Sequence, residues 1–200
     1  MTVRSRRSLV AAALLAAGLL VVVAVRSRGV VVERDGEGGI ISSGGVGHGH
    51  LNGKDNTKVG RAWTSGGETL CRTAEDVVAR IVSIEPVEVV GEVRVEAIKV
   101  RSAYRPPPDQ RFEDWDPMTQ LFNGPGPGPP NAREPAGFLV PSDCDHGEPL
   151  GEILTTMRKT GPGGGWLEGL LVTYRWEGRL HAFVIPWTFA LCGTKTPICD

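Results

Sequence analysis

The sequence has few aromatic residues and almost no net charge. Aromatic residues make up 6% of its 200 residues, and the formal net charge is −1. A nucleic-acid-binding domain is expected to be basic, so this charge excludes a general nucleic-acid binder. Hydrophobic residues reach 40%, which excludes a wholly disordered or collagen-like chain.

Familiar catalytic motifs are also missing. The sequence has no nucleophile elbow, no HExxH, no CxxC and no nucleotide-binding glycine loop. His181 is the only histidine in a predicted strand, and no serine or cysteine nucleophile is matched to it. We therefore predict a protein that is not an enzyme and has no catalytic residue, cofactor or metal. A hydrolase that uses His181 as its base is the third and weakest hypothesis.

One long apolar run lies near the N-terminus. Leu9 to Val25 are 17 residues without a polar side chain, and as a helix they would span about 25 Å, near the lower limit for a bilayer. Three arginines precede the run and two follow it, so the positive-inside rule places residues 1–8 in the cytoplasm and the rest outside. We predict a single-pass cell-membrane anchor at 9–25, embedded in the lipid bilayer. A cleaved signal peptide ending near Ala24 is the alternative.

A glycine-rich stretch follows this predicted anchor. From Gly36 to Gly53, eight of 18 residues are glycine, and chains of this composition behave as flexible coils. The sequence therefore predicts a linker over 26–68 and an extracytoplasmic domain over 69–200.

The predicted domain shows short β-like runs. Residues 76–87 are rich in Val and Ile, which predicts a strand with Val78, Val82 and Ile84 on one face, although a short helix also fits. Apolar and polar residues alternate over 93–101, which predicts a half-buried strand. The alternation shifts by one residue where apolar Ala97 is followed directly by apolar Ile98, which predicts a bulge at Ala97–Ile98. Further strands are expected at 137–140 and 152–158.

The clearest local prediction is a hairpin over 170–191. Glu177 and Gly178 separate two β-like runs, as in a type I′ turn. Pro186 cannot donate to a ladder, so it marks an edge or a bulge. The turn sets a register in which four side chains share the inward face, and these are Leu170, Val172, Phe183 and Ile185.

Many short strands with Gly and Pro turns predict an all-β fold, a β-sandwich. In general architecture it resembles immunoglobulin-like domains over about residues 69–200. The predicted fold is thus an immunoglobulin-like β-sandwich with a Pro/Gly-rich insertion, preceded by one N-terminal transmembrane helix. The resemblance carries no functional motif.

The four cysteines all lie in the predicted domain. An even count in an oxidising compartment predicts two disulfides, and the absence of a close cysteine pair disfavours zinc. We favour Cys71–Cys192 with Cys144–Cys199, which would tie the first strand to the last. Cys71–Cys144 with Cys192–Cys199 is the alternative.

The insertion at 105–136 is enclosed by proline runs, which form stiff spacers. A short helix over 117–123 is plausible, begun by Asp116 and ended at Gly124. Two hypotheses stay open for its large apolar side chains: they anchor a protein partner, or they cover an open face of the sandwich. These partner-contact candidates are Trp115, Met118, Leu121 and Phe122.

Together these patterns predict a membrane-anchored extracytoplasmic binding or accessory module of the cell envelope. Its expected partners are the bilayer and another envelope protein, with no nucleic acid. The alternative is a sensor or carrier whose sandwich binds a small ligand or a metal.

Overall fold

The computed structural model describes residues 30–33, 41–43, 51–54, 57–73, 77–104, 123–141, 149–196 and 199. These residues form β-strands and no α-helix, so the all-β prediction is confirmed for them. The strands are β1 (Val31–Val32), β2 (Ile41–Ser43), β3 (Leu51–Lys54), β4 (Ala62–Arg72), β5 (Arg80–Gly91), β6 (Val93–Tyr104), β7 (Asn123–Pro125), β8 (Pro149–Lys159), β9 (Gly165–Trp176) and β10 (Arg179–Leu191).

The strands build two sheets that share one core. In the first sheet the order is β1-β10-β9-β5, and β3 also pairs with β10. In the second sheet the order is β2-β4-β8-β6, and β7 also pairs with β4. Strands β1 and β3 run parallel to β10 along different parts of it, and all other pairs are antiparallel.

The predicted hairpin is confirmed. Glu177 and Gly178 have φ angles of 46° and 77°, the left-handed backbone that a type I′ turn requires. The turn pairs Leu170 with Ile185 and Val172 with Phe183, as predicted, and all four side chains are at most 2% exposed. The ladder of β9 and β10 shifts register between Ile185 and Thr188, which places Pro186 in a bulge.

The bulge predicted in β6 occurs one residue early. Val95 pairs with Met157 and Ala97 pairs with Thr156, so Glu96 is the extra residue. This insertion keeps both halves of β6 facing the core, since Val93 and Val100 are both buried. The strand predicted at 152–158 is confirmed within β8.

Two strand predictions need correction. Strand β5 covers 80–91, so the helical alternative for 76–87 is wrong, and a bulge between Ile81 and Ser83 turns Val82 outward. Val78 and Val82 are 64% and 39% exposed, whereas Ile84 is 6% exposed. Residues 137–140 form only an isolated bridge to β5, because Gly137 (φ 79°) turns the backbone at the point where the strand was expected to begin.

Strands also form before Thr69. Strands β1, β2 and β3 and the start of β4 all lie within the stretch that the sequence analysis assigned to a linker. Ile41 of β2 is 1% exposed and belongs to the core, so this stretch contributes to folding. The predicted anchor at 9–25 lies outside the described residues, and the described residues contain no helix of the length and apolarity that crossing a membrane requires.

The favoured disulfide pairing is wrong. Cys192 bonds to Cys199, with Cα atoms 5.8 Å apart. Cys71 lies near the end of β4, whereas Cys192 follows the end of β10 at the opposite end of the sandwich, where the Lys159 ammonium donates to the Cys192 carbonyl. That separation is too long for one disulfide. Cys71 is also disulfide-bonded, and Cys144 lies outside the described residues.

Alternate residues along β8 face the core and the outer side of the second sheet, yet both sets are buried. Ile153 and Met157 belong to the shared core, while the outward Leu150, Glu152 and Leu154 are 2%, 0% and 2% exposed. Glu152 pairs in register with Arg101, and the Arg101 Nε lies 2.5 Å from the Glu152 Oε2. The second sheet therefore buries an ion pair on its outer face.

This pair gives a testable prediction. Arg101→Ala leaves the buried Glu152 carboxylate without its arginine, so we expect the free energy of unfolding to fall by about 3–5 kcal/mol. Chemical denaturation measures the change. The matched control is Arg94→Ala, which removes an exposed arginine from an ion pair with Glu96 and is expected to cost less than about 1 kcal/mol. Equal losses in the two variants would contradict the prediction.

Candidate functional site

The outer face of the first sheet is half-exposed and partly apolar. Leu171 and Val184 are register partners, and they point outward because their neighbours Val172 and Phe183 point into the core. Val184 is 37% exposed and Leu171 is half-buried. This differs from the second sheet, whose outward residues on β8 are buried. We name the surface formed by Glu85, Glu88, Glu168, Leu171 and Val184 the open face.

The open face is acidic. Glu85 pairs with Leu171, and Glu88 lies directly opposite Glu168 across the β5–β9 ladder. Like charges directly opposite each other destabilise a sheet. Among the described residues, no ion pair involves any of these three glutamates. An apolar strip beside uncompensated carboxylates suits a partner with basic and apolar side chains.

A second polar cluster fastens β1 to the sandwich. The Glu33 amide donates to the Ala182 carbonyl at 2.8 Å, and the Glu33 side chain turns inward. Its carboxylate accepts a hydrogen bond from the Tyr174 hydroxyl, and its Oε1 lies 2.7 Å from the His181 Nδ1. The His181 ring stacks on Tyr174, with centroids 5.2 Å apart. These contacts hold the first described strand of the chain against β10.

His181 therefore has a structural partner. It is 6% exposed, and it also contacts the Trp176 ring at 5.4 Å between centroids. A carboxylate beside an imidazole occurs in acid–base sites, where the carboxylate orients the ring. In this cluster the ring and the carboxylate join β10 to β1, which suits a fastening role.

A cleft of about 520 Å³ opens between the edge strands β5 and β6. Its apolar lining includes Ile84, Val95 and Ile98, and two carboxylates, Glu96 and Glu134, stand beside them. Pockets that bind small molecules combine an apolar lining with a few polar groups. The cleft thus has the composition of a small-ligand site.

The β6 bulge places Glu96 in an ion-pair network. The Arg158 Nε lies 2.5 Å from the Glu96 Oε1, and its Nη2 lies 2.9 Å from the Oε2. This two-point contact with Arg158 lowers the pKa of the Glu96 carboxyl from its ordinary value, and Arg94 adds to the effect. Glu96 is therefore ionised at neutral pH, and its negative charge is balanced by Arg158 and Arg94.

The partner-contact candidates of the insertion cannot be placed. Trp115, Met118, Leu121 and Phe122 and the helix expected over 117–123 lie outside the described residues. The described part of the insertion follows the second sheet, since β7 pairs with β4 and Arg133 bridges to Val100. Of the disulfide candidates, Cys71, Cys192 and Cys199 are described. The described part of the chain contains no His, Cys, Asp and Glu group that would hold a metal.

Sequence reasoning missed both Glu33 and the open face. Glu33 contacts His181 across 148 positions, and no local pattern signals such a pairing. The open face did have a signal, because a register that turns Val172 and Phe183 inward turns Leu171 and Val184 outward.

The Glu33 cluster gives a second prediction. Glu33→Gln replaces a carboxylate that accepts two hydrogen bonds, so we expect the free energy of unfolding to fall by about 1–3 kcal/mol. Chemical denaturation measures the loss, and a double-mutant cycle with Tyr174→Phe isolates the hydrogen bond between the two residues. Glu177→Gln, in the exposed turn, is the control and should change stability by less than about 0.5 kcal/mol. A loss in the control as large as that in Glu33→Gln would refute the role of Glu33.

Comparison with known protein families finds no matching family model, and comparison with curated proteins finds no match.

Proposed function

We propose that this protein is a membrane-anchored extracytoplasmic binding module of the cell envelope, and that the open face is its partner-binding surface. Residues 9–25 form the anchor, and residues 1–8 remain in the cytoplasm. The sandwich lies outside the membrane. The proposal involves no catalytic residue.

The strand order supports an immunoglobulin-like domain. In the constant-type immunoglobulin fold, strands A-B-E-D form one sheet and C-F-G the other. Here β2-β4-β8-β6 occupy the positions of A-B-E-D, and β5-β9-β10 occupy those of C-F-G. The resemblance concerns architecture alone, and such a fold hosts many functions.

The observation that carries the proposal is the composition of the open face. Leu171 and Val184 form an apolar strip, and the carboxylates of Glu88 and Glu168 oppose each other beside it. Without a partner the carboxylates repel and the apolar strip is hydrated. A partner that presents basic and apolar side chains relieves both costs. We therefore infer a basic and apolar surface on an envelope protein as the partner.

A photo-crosslinking experiment tests this surface. A photo-reactive amino acid replaces Val184 in the full-length protein in its native membranes. We expect one discrete adduct, and we expect Leu171→Arg to reduce it at least tenfold, because the arginine blocks the apolar strip and repels a basic partner. Gel analysis of the tagged protein measures the yield.

The control places the same photo-reactive group at Arg94, an exposed position on the second sheet. Position 94 should give no such adduct. Identical adducts from positions 184 and 94, or an adduct at 184 that Leu171→Arg leaves unchanged, would reject the open face. Recovery of the full-length protein from the soluble fraction would reject the anchor.

A small-ligand sensor or carrier is the alternative function, and the cleft between β5 and β6 is the observation that favours it. A ligand present at 100 times its Kd stabilises a protein by about 2.7 kcal/mol, which corresponds to a rise in Tm of about 5 °C or more. Screening a panel of small apolar amines should produce such a rise if the exposed carboxylate of Glu134 recognises the ligand. Ala97→Trp fills the cleft and should abolish the rise, while Leu171→Arg should preserve it. A rise that survives Ala97→Trp would place the ligand elsewhere.

A further inference from the structure

The turn end of the β9–β10 hairpin differs in charge from the open face. Arg80 and Arg175 lie directly opposite each other across the β5–β9 ladder, and Arg179 begins β10. All three arginines are exposed. Leu180 pairs with Arg175, and Trp176 pairs with Arg179. Both are half-buried, and the Trp176 ring packs partly against the core and His181. We name this surface, formed by Arg80, Arg175, Trp176, Arg179 and Leu180, the hairpin rim.

The polypeptide enters the sandwich at the hairpin rim. Strand β1 is parallel to β10 and pairs with its first half, Val31 with His181 and Val32 with Ala182. Residue 30 therefore lies on the same side as the turn from which β10 starts. The Glu33 cluster fastens this entry point to the sheet. Residues 1–29, which include the proposed anchor, thus connect to the sandwich at the rim end.

The connection between the anchor and β1 is short. Only residues 26–30 separate the end of the proposed anchor from Val31, and a fully extended chain of that length reaches about 20 Å. Bilayer headgroups extend several ångströms beyond the hydrocarbon core. The hairpin rim is therefore held within reach of the headgroups.

The composition of the rim matches such a location. Clustered arginines attract anionic headgroups, and tryptophan is enriched where a protein meets the membrane interface. Val31 and Val32, beside the rim on β1, are 42% and 37% exposed. Arg80 and Arg175 repel each other across the strands unless an anion lies between them. Glu177 is the single acid of the turn, against three arginines.

We propose that the hairpin rim docks on anionic lipid headgroups of the membrane that holds the proposed anchor. This inference rests on the proposed function, because the anchor brings the rim to the bilayer. The arginines contact lipid phosphates, while the exposed part of Trp176 meets the headgroup layer with Val31 and Val32. The contact orients the sandwich, so that β9 and β10 extend away from the membrane and the open face lies farther from the bilayer than the rim.

Lipid-specific tryptophan quenching tests the docking. The full-length protein is reconstituted into nanodiscs of brominated phosphatidylglycerol or of brominated phosphatidylcholine, since bromine quenches only nearby indoles. The contribution of Trp176 is the difference between the protein and its Trp176→Phe variant. We expect Trp176 to be quenched at least twofold in phosphatidylglycerol, with little quenching in phosphatidylcholine. Raising the salt to about 1 M should reverse it, because the Debye length falls to about 3 Å.

Reversing the rim charges tests the role of the arginines. Arg175→Glu with Arg179→Glu should reduce the quenching of Trp176 at least fivefold.

Two matched controls lie at the opposite end of the same sheet. Trp166 is half-buried on the same strand as Trp176, so Trp166→Phe should leave the lipid-dependent quenching unchanged. Lys195→Glu reverses an exposed charge beyond the far end of β10 and should have no effect.

The outcomes separate the two proposals. A chain that does not remain with the nanodiscs overturns the anchor and the docking together. A chain that remains in the nanodisc with Trp176 unquenched overturns the docking alone. Quenching that is equal in the two lipids, or that the arginine reversals leave unchanged, also overturns it, since anionic headgroups would then have no part in the contact.

Discussion

The register of the β9–β10 hairpin is the constraint on which the rest of the structure depends. The turn at Glu177 and Gly178 pairs Val172 with Phe183, and these side chains face the core. Strand β10 also receives β1 and β3 on its other edge, so the same register positions the N-terminal segments. A slip of one residue would exchange inward and outward side chains along both strands. It would bury Arg175 and expose the aromatic core.

The two sheets use their outer faces differently. The second sheet buries outward residues of β8, including the carboxylate of Glu152 with its arginine. Burying a charge is costly unless it is paired. Residues on the outer face of the second sheet are therefore needed for the stability of the domain. The first sheet leaves outward Val184 and Glu88 in contact with solvent. In the described part of the chain, this face of the first sheet stays in contact with solvent, and removing water from its apolar strip would favour association.

Local patterns predicted the parts of the fold that local rules control. The hairpin followed from one turn and strict alternation, and the β6 bulge followed from a phase slip near Ala97. The disulfide pairing, in contrast, depends on which ends of the strands lie together. Spacing along the chain says nothing about that, so the pairing we favoured placed Cys71 beside Cys192 although they lie at opposite ends. Glu33 was missed for a related reason, since β1 pairs with a strand far away in sequence.

Glycine content misled the prediction over 26–68. Gly-rich composition indicates flexibility when nothing else constrains the chain. The edges of β4 and β10 offer backbone donors and acceptors, and the short strands β2 and β3 pair with them. Among the described residues of this stretch, Ile41 belongs to the core and Trp63 packs against it. The hydrogen-bonding demand of sheet edges therefore overrides local composition.

Charge is segregated along the outer face of the first sheet. Arg175 and Glu168 lie on the same strand, seven positions apart, which is about 23 Å along an extended chain. On this sheet the arginines lie near the end where the chain enters, and the glutamates lie toward the other end. Under the proposed docking, an anionic membrane would attract the arginine end of this face and repel its glutamates, so both effects would hold the open face away from the bilayer.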